Sequence, residues 1–506
     1  TIKSKAILFE GVVLGDNSRV GEGAVLHANV KVWPDKEIEP GATVKASIIW
    51  GARGRRGLFG RHGVTGVVNV DLTPEFAARM GAAFGATLPK GCTVTINRDP
   101  HRSPRMIKRA VISGLPSAGI HAADLRSMPI PVARYYTRVT DAAGGVHVRL
   151  SPFDQRVVDI RFFDSAGGNL SKAAERNIER IFFREDFRRV YLDEIGTIQY
   201  APRVTETYIE GFLKAVNVEA IRRAQFKIVA DYAYAPTSEV LSPILNELDV
   251  EVVPLAAQVD GEKMSVPPAE FEKALKEVAL ITGALDTHLG VRLDVGGEKL
   301  FLVDHEGRYV PEVAASAAMV TLALQANPGS TIVVPVHMPS IFEQIAQEYG
   351  GRVRRCKVDP HDIMKLSTEE GVVMGTDGMG NFVYPQFQPV IDGLIAVVKL
   401  LEFLATQQTS LASIVAGLPP FHIAQQDVSC PWEVKGTVMR LLNQQYKDRR
   451  AELIDGIKIV LGEKEWVLVL PDPDHPKFHI YAEGASEAEA QDIAERYSRI
   501  VEGLQD

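Results

Sequence analysis

At 506 residues the chain is too long for one hydrophobic core, and several domains of about 100 to 150 residues each are expected. Lys and Arg number 56 against 64 Asp and Glu, a net charge of −8, which argues against the basic surface that binds nucleic acid or an anionic membrane. Cys92, Cys356 and Cys430 stand far apart with no CxxC pair, which argues against a zinc site or a disulfide framework and fits a reducing, cytoplasmic setting.

The chain opens on Thr1 and enters patterned sequence at once, so it is expected to be cut from a longer product. Ile2, Leu8, Leu14, Val20, Leu26, Val32, Ile38, Val44 and Trp50 recur every six residues, with glycine and small polar residues between them. That period is the signature of a parallel β-helix, in which each short strand turns one apolar residue inward. Residues 1–51 would make just under three coils, and ARGRRG, Ala52 to Gly57, reads as a basic linker. The stretch resembles the left-handed hexapeptide β-helix of acyltransferases and sugar nucleotidyltransferases.

From Leu58 onward apolar strands alternate with helical segments, the pattern of α/β layers. CTVTINRD reads as a strand and SPRMIKRAVISGLPSAG as a helix closed by a glycine; FKIVADYA with TSEVLSPILNELDV, and STIVVPV with PSIFEQIAQEYGG, repeat the unit. VIDGLIAVVKLLEFLA, Val390 to Ala405, is interrupted by Asp392, Lys399 and Glu402 and reads as a buried helix, with no membrane span. WEVKGTVMRLLNQQYKDRRAEL is expected to be helical, followed by strands at GIKIVLG, EWVLVLP and KFHIYAEG, and Ser486 with Glu489 forms a capping box before the last helix. The expected fold is therefore α/β: three α/β domains (58–195, 196–305 and 306–415) and a C-terminal α+β domain (416–506), preceded by the β-helix of residues 1–51.

This order of parts resembles the α-D-phosphohexomutase superfamily, the phosphoglucomutases and phosphomannomutases. The likeness runs through LFGRHGVTGVVNVDLTPEFAARMGAAFG, INRDPHRSPRMIKRAVISGLPSAG, LFLVDHEGRYV and YPQFQPVIDGLIAVVKLLEFLA. It implies a phosphate moved between two hydroxyls of a hexose through a phosphoserine and a bound Mg²⁺. By alignment the nucleophile is Ser151, in a loop where Thr-Ala-Ser-His-Asn-Pro has become Arg149, Leu150, Ser151, Pro152, Phe153 and Asp154. A lysine near the end of that segment is Arg161. The metal loop Asp-Gly-Asp-Ala-Asp-Arg falls on DVGGEK, leaving Asp294 and Glu298 as the Mg²⁺ ligands, with Gly296 in place of the middle aspartate. The sugar-reading loop becomes GTDGMGN, with Thr376 and Gly378 for its glutamate and serine. The phosphate loop becomes LPDPDHP, Leu470 to Pro476, where Asp472 and Asp474 would repel a phosphate, and the arginine of the opening turn is Thr65.

Five altered elements on an intact scaffold lead to the expectation of a module silent as a mutase, with a structural or regulatory role. The β-helix followed by a mutase-like part resembles mannose-1-phosphate guanylyltransferases, which implies a nucleotidyltransferase domain upstream. The alternative is a working phosphomannomutase, phosphoglucomutase or related phosphotransferase acting through Ser151, with Asp294 and Glu298 on Mg²⁺. Acyl transfer on the β-helix, with His27 as base, is a remote third reading, and the other histidines, His101 and His479 among them, lack metal-ligand spacing. The partners implied are a sugar phosphate or a nucleotide sugar, no nucleic acid or membrane, and further copies of the chain in a homo-oligomer.

Overall fold

The computed structural model describes residues 1–34, 36–45, 47–48, 53–54, 57–61, 63–446, 451–462 and 464–505. The N-terminal residues form two-residue parallel strands in three small sheets. Ile7 pairs with Val25 and Val25 with Thr43, Val13 with Lys31, and Arg19 with Glu37. The six-residue beat turns inward: Val20, Leu26, Val32 and Ile38 are buried together, while Ile2 remains exposed. Arg53–Gly54, expected in a linker, instead pairs with Glu37–Ile38. Trp50, Ala52, Arg55 and Arg56 lie outside the described residues.

Three sheets then repeat one topology. In the first, His121–Ser127, Thr93–Arg98 and Gly144–Leu150 run parallel, and Val157–Phe163 returns antiparallel against Gly144–Leu150. In the second the corresponding strands are Glu251–Leu255, Lys227–Asp231, Leu289–Leu293 and Leu300–Asp304. The third uses Arg352–Cys356, Thr331–Pro335, Val372–Thr376 and Phe382–Tyr384. Helices cover the sheets as the apolar pattern requires: Arg102–Ser117 starts at His101 and passes into Gly119 in the left-handed region, φ 76°. Each parallel crossover is made through a helix, because parallel neighbours cannot be joined by a tight turn.

The last part is an antiparallel sheet, His422–Ser429, Lys477–Gly484, Trp466–Pro471, Ile457–Val460 and Ala451–Glu452, covered by Trp432–Gln445 and Glu487–Gly503. The helix expected to run through AEL ends at Gln445, since Ala451 and Glu452 pair with Ile459 and Lys458 at the sheet edge. Ser486 caps the final helix by accepting from the Glu489 N–H at 3.2 Å, and the Glu489 side chain reaches back to the Ala485 N–H at 3.0 Å. Among the described residues no helix is long and apolar enough to cross a membrane. The apolar segment after Val390 becomes the buried helix Gly393–Gln407.

Asp392 locks that helix to its surroundings. One oxygen accepts from the Leu394 and Ile395 N–H groups at 2.9 and 3.1 Å, and the other from the Tyr208 hydroxyl at 2.7 Å and Gln388 Nε2 at 2.6 Å. Asp392→Ala removes the cap and leaves a buried tyrosine hydroxyl without its acceptor, which together cost about 3 kcal/mol. Urea unfolding of the variant is expected to show that loss; an unchanged midpoint would refute the assignment.

Candidate functional site

The repeated topology decides where the chemistry sits. In each of the three sheets the third parallel strand turns back into an antiparallel partner, and the turns span 151–156, 294–299 and 377–381. Such carboxyl ends of parallel strands are where open α/β sheets place their ligands. The turns are tied together by backbone contacts: Leu300 N–H to Gly380 O at 2.9 Å, and Ile130 N–H to Gly296 O at 3.1 Å. Beside the second and third turns lies a cavity of about 100 Å³ lined by residues of all three domains, though by none of 151–156. A larger chamber of about 670 Å³ on the side of the C-terminal domain shares Phe59, Arg61, Lys172 and Glu175 with it.

Period-two alternation delivers the charged side chains of the first sheet to one face. His147 stands opposite Arg161, Arg149 opposite Asp159, and Asp159 opposite Thr65. Arg149 Nη2 donates to Asp294 Oδ2 at 2.6 Å, and Arg161 Nη1 to Glu298 Oε2 at 2.7 Å. Arg134, fully buried on the helix Ile130–Val139, donates to Gly167 O and Asn169 Oδ1, both at 2.7 Å, packs on the Phe163 ring and lies 3.6 Å from Glu298. Burial pulls the Arg134 guanidinium down to about 10, so it is still cationic at neutral pH. Burial alone would raise the Glu298 carboxyl, but the charges of Arg161, Arg134 and Arg149 overcome it and hold it at about 2.

The structure brings Asp294 and Glu298 together as the sequence implied, and surrounds them with arginines that the sequence reading did not assign to them. Mg²⁺ takes oxygen ligands at about 2.0–2.1 Å in near-octahedral geometry. Asp294 Oδ1 already accepts the Glu298 and Lys299 N–H groups at 2.7 and 2.9 Å, Oδ2 is taken by Arg149, and Glu298 by Arg161. Like unit charges 4 Å apart repel by about 4 kcal/mol at an effective dielectric near 20, and a divalent ion doubles this. As arranged here, with an arginine on each carboxylate, the pair does not fit Mg²⁺. Among the described residues no group of three His, Cys, Asp or Glu side chains is arranged to hold a metal ion.

Ser151 follows Gly144–Leu150 half-buried, its N–H donating to Val157 O at 3.0 Å, on the strand face shared with Arg149. The strand end before it is held by buried Asp99, which accepts the Leu150 N–H at 2.8 Å and faces His147 Nε2 at 3.3 Å. Thr65 donates to Asp159 at 2.6 Å. Thr376 is buried against Ser316, and Asp377 organises its own turn, so only Asn381 of that loop reaches the cavity. The 470–476 loop faces the outer chamber, where Asp474 accepts the Arg61 N–H at 3.2 Å and Asp472 is engaged by His479 at 2.8 Å.

Sequence reasoning missed Arg134, Arg61, Lys172, Lys299 and His361, all of which line the cavity. His361 Nδ1 lies 2.8 Å from Asn169 O, an atom that only accepts, so Nδ1 carries a proton and donates it there, leaving Nε2 free of that contact. A signal was available for part of the set: polar residues at alternate positions in otherwise apolar strands, VHVRL and VDIRF, mark one face of a buried sheet that is not simply core.

Residues 56–189, 206–307 and 313–421 match, in order, Phosphoglucomutase/phosphomannomutase alpha/beta/alpha domains I, II and III. The Phosphoglucomutase/phosphomannomutase of Thermococcus kodakarensis is 29% identical over 450 residues, which cover 88% of this chain and 98% of the relative. The Phosphoglucosamine/phosphogalactosamine mutase of Sulfurisphaera tokodaii is 28% identical over 452 residues, covering 88% and 99%. Among solved structures, a phosphoglucomutase/phosphomannomutase family protein from Burkholderia thailandensis superposes with a TM-score of 0.75 at 19% identity, covering 88% of this chain and 97% of its own. N-acetylphosphoglucosamine mutase of Aspergillus fumigatus, solved with GlcNAc-6P and magnesium, superposes at 0.54 with 11% identity, covering 89% and 96%. The structural likeness shows the scaffold. The named relatives overturn the expectation of a module silent as a mutase, because proteins aligned over nearly their whole length carry mutase names.

The charge cluster sets an acid dependence. Glu298, with an ordinary carboxyl near 4.5 and about 2 in the folded chain, contributes stability that is complete above 4.5 and lost as pH falls towards 2. Glu298→Gln is expected to flatten that acid slope and to cost about 3 kcal/mol at neutral pH by leaving buried guanidiniums without a counter-charge. Denaturant titrations of both proteins across this window test it; identical slopes would refute the assignment.

Proposed function

We propose that this chain, which belongs by its scaffold to the phosphoglucomutase/phosphomannomutase family, acts on hexose phosphates in the three-domain cleft as a phosphohexomutase or related phosphotransferase. The observation that carries the reading is the charge of the inner cavity. Arg61, Arg134, Arg149, Arg161, Lys172 and Lys299 line it against Glu175, Asp294, Glu298 and Asp359, six cations to four carboxylates. The surplus of two matches the dianion of a phosphomonoester.

Phosphoryl transfer asks more for positioning and charge stabilisation than for covalent help. Ser151, on the strand face of Arg149, is the phosphoryl carrier in this reading, charged by a hexose bisphosphate. The P–Oγ bond of the phosphoserine breaks as a sugar hydroxyl oxygen bonds to phosphorus. The hydroxyl proton passes to His361 Nε2 and is returned to the serine oxygen as it leaves. The inner cavity suits the phosphate and the outer chamber the rest of the sugar. We also read the N-terminal strands, paired at intervals of 18 residues, as coils of a parallel β-helix that packs beside the catalytic scaffold.

Turnover of glucose 1-phosphate and mannose 1-phosphate, with a hexose bisphosphate as activator, is the test. Ser151→Ala is expected to lose at least about a hundredfold in kcat, the loss typical of a removed nucleophile, and His361→Ala to lose less. Turnover that is undiminished in Ser151→Ala ends the phosphoserine reading, and no turnover in the parent protein ends the mutase reading.

A further inference from the structure

We propose that the cleft holds its phosphate on its own cationic side chains without a metal, with Arg149 and Arg161 standing where a divalent cation would otherwise neutralise it. This rests on the hexose-phosphate reading above and adds how the ligand is anchored.

Four observations converge on it. Asp294 and Glu298, the carboxylates that could have held a cation, are each consumed by an arginine at 2.6 and 2.7 Å. The Nε–H groups of Arg149 and Arg161 are buried without a hydrogen-bond partner among the described residues, and both side chains line the cavity. Buried donors left in that state have a strong demand for an acceptor, and a phosphate oxygen supplies one. Third, the arginine replaces more than charge. A Cβ on Gly296 would meet Ile130 Cδ1 at 3.2 Å, Asp294 Oδ2 at 3.3 Å and Arg149 Nε at 3.4 Å, so a side chain at that position would crowd the Arg149–Asp294 pair. Finally, the 470–476 loop offers Asp474 and His475 to the outer chamber and no arginine, so the phosphate has its cationic seat in the inner cavity.

The chemistry of arginine makes the exchange workable. A guanidinium is a planar fork matched to two phosphate oxygens and stays charged through the physiological range. Held by carboxylates on one edge, Arg149 and Arg161 keep their remaining donors in place before the ligand arrives. Such preorganisation reduces the ordering cost of binding.

The experiment is calorimetric binding of glucose 1-phosphate and mannose 1-phosphate to the full chain, in EDTA and in excess Mg²⁺. The expected result is the same affinity within about twofold in both buffers, and at least about tenfold weaker binding for Arg149→Gln in both. Arg149→Lys, which keeps the charge and loses the fork, is expected to fall between the two, with thermal melts verifying that each variant is folded. In parallel, Mn²⁺ titration followed by electron paramagnetic resonance is expected to show no stoichiometric uptake by the parent chain. Binding of the sugar phosphate only with Mg²⁺, or tight Mn²⁺ uptake, would overturn the guanidinium anchor and leave the hexose-phosphate reading standing. Absence of binding in either buffer would overturn that reading and the anchor with it. Should Arg149→Gln fail to fold, the comparison of EDTA with Mg²⁺ in the parent chain and the Lys variant decides.

Discussion

Two carboxylates of the second domain, half-buried Asp294 and buried Glu298, meet three arginines of the first, Arg134, Arg149 and Arg161, and the geometry of the cleft depends on that meeting. A buried ion pair adds little net stability over an apolar contact, yet removing one partner leaves a charge that the interior cannot solvate. The network thus acts as a register between domains more than as a source of stability. It is reinforced by the Ile130 to Gly296 backbone bond and by the bridge between Lys299 and Asn381, which carries the same register on to the third domain.

The scaffold and its chemistry have separated in this chain. The three sheets keep one topology and bring equivalent turns to a common centre, while the residues on those turns differ from the family pattern in charge as well as in size. A count of lost motifs suggested an empty site, because each loop was judged against a metal-centred arrangement. The structure instead puts an arginine on each carboxylate of the second-domain turn, and lines the same cavity with a histidine, His361, whose Nδ1–H donates to the carbonyl of Asn169. The net positive charge of that cavity is what a phosphorylated ligand requires.

The fold was largely legible because its signals are local. Apolar alternation in Thr93–Arg98 and Lys227–Asp231, the capping box at Ser486 and the six-residue beat of the first fifty residues each follow from the side chains of one segment. The differences fall where a two-residue strand exists only by its pairing: Ala451–Glu452, expected in a helix, pairs with Lys458–Ile459, and Arg53–Gly54, expected in a linker, pairs with Glu37–Ile38. Of the residues that alignment singles out, Asp294 and Glu298 line the cavity and Ser151 lies outside its lining.

The sequence by itself determined the order of strands and helices, the repeat of the α/β unit and which turns would carry polar side chains, since propensity, capping and burial pattern act over a few residues. Which charges those side chains would face was decided only by tertiary structure. Arg149 lies 145 positions from Asp294 and Arg161 lies 137 from Glu298, and no local rule relates residues so far apart. An arginine in a buried strand can read equally as strain, as surface or as a ligand anchor. Only the packing of two domains gave it a carboxylate on one side and a cavity on the other, where charges out of water act on each other strongly.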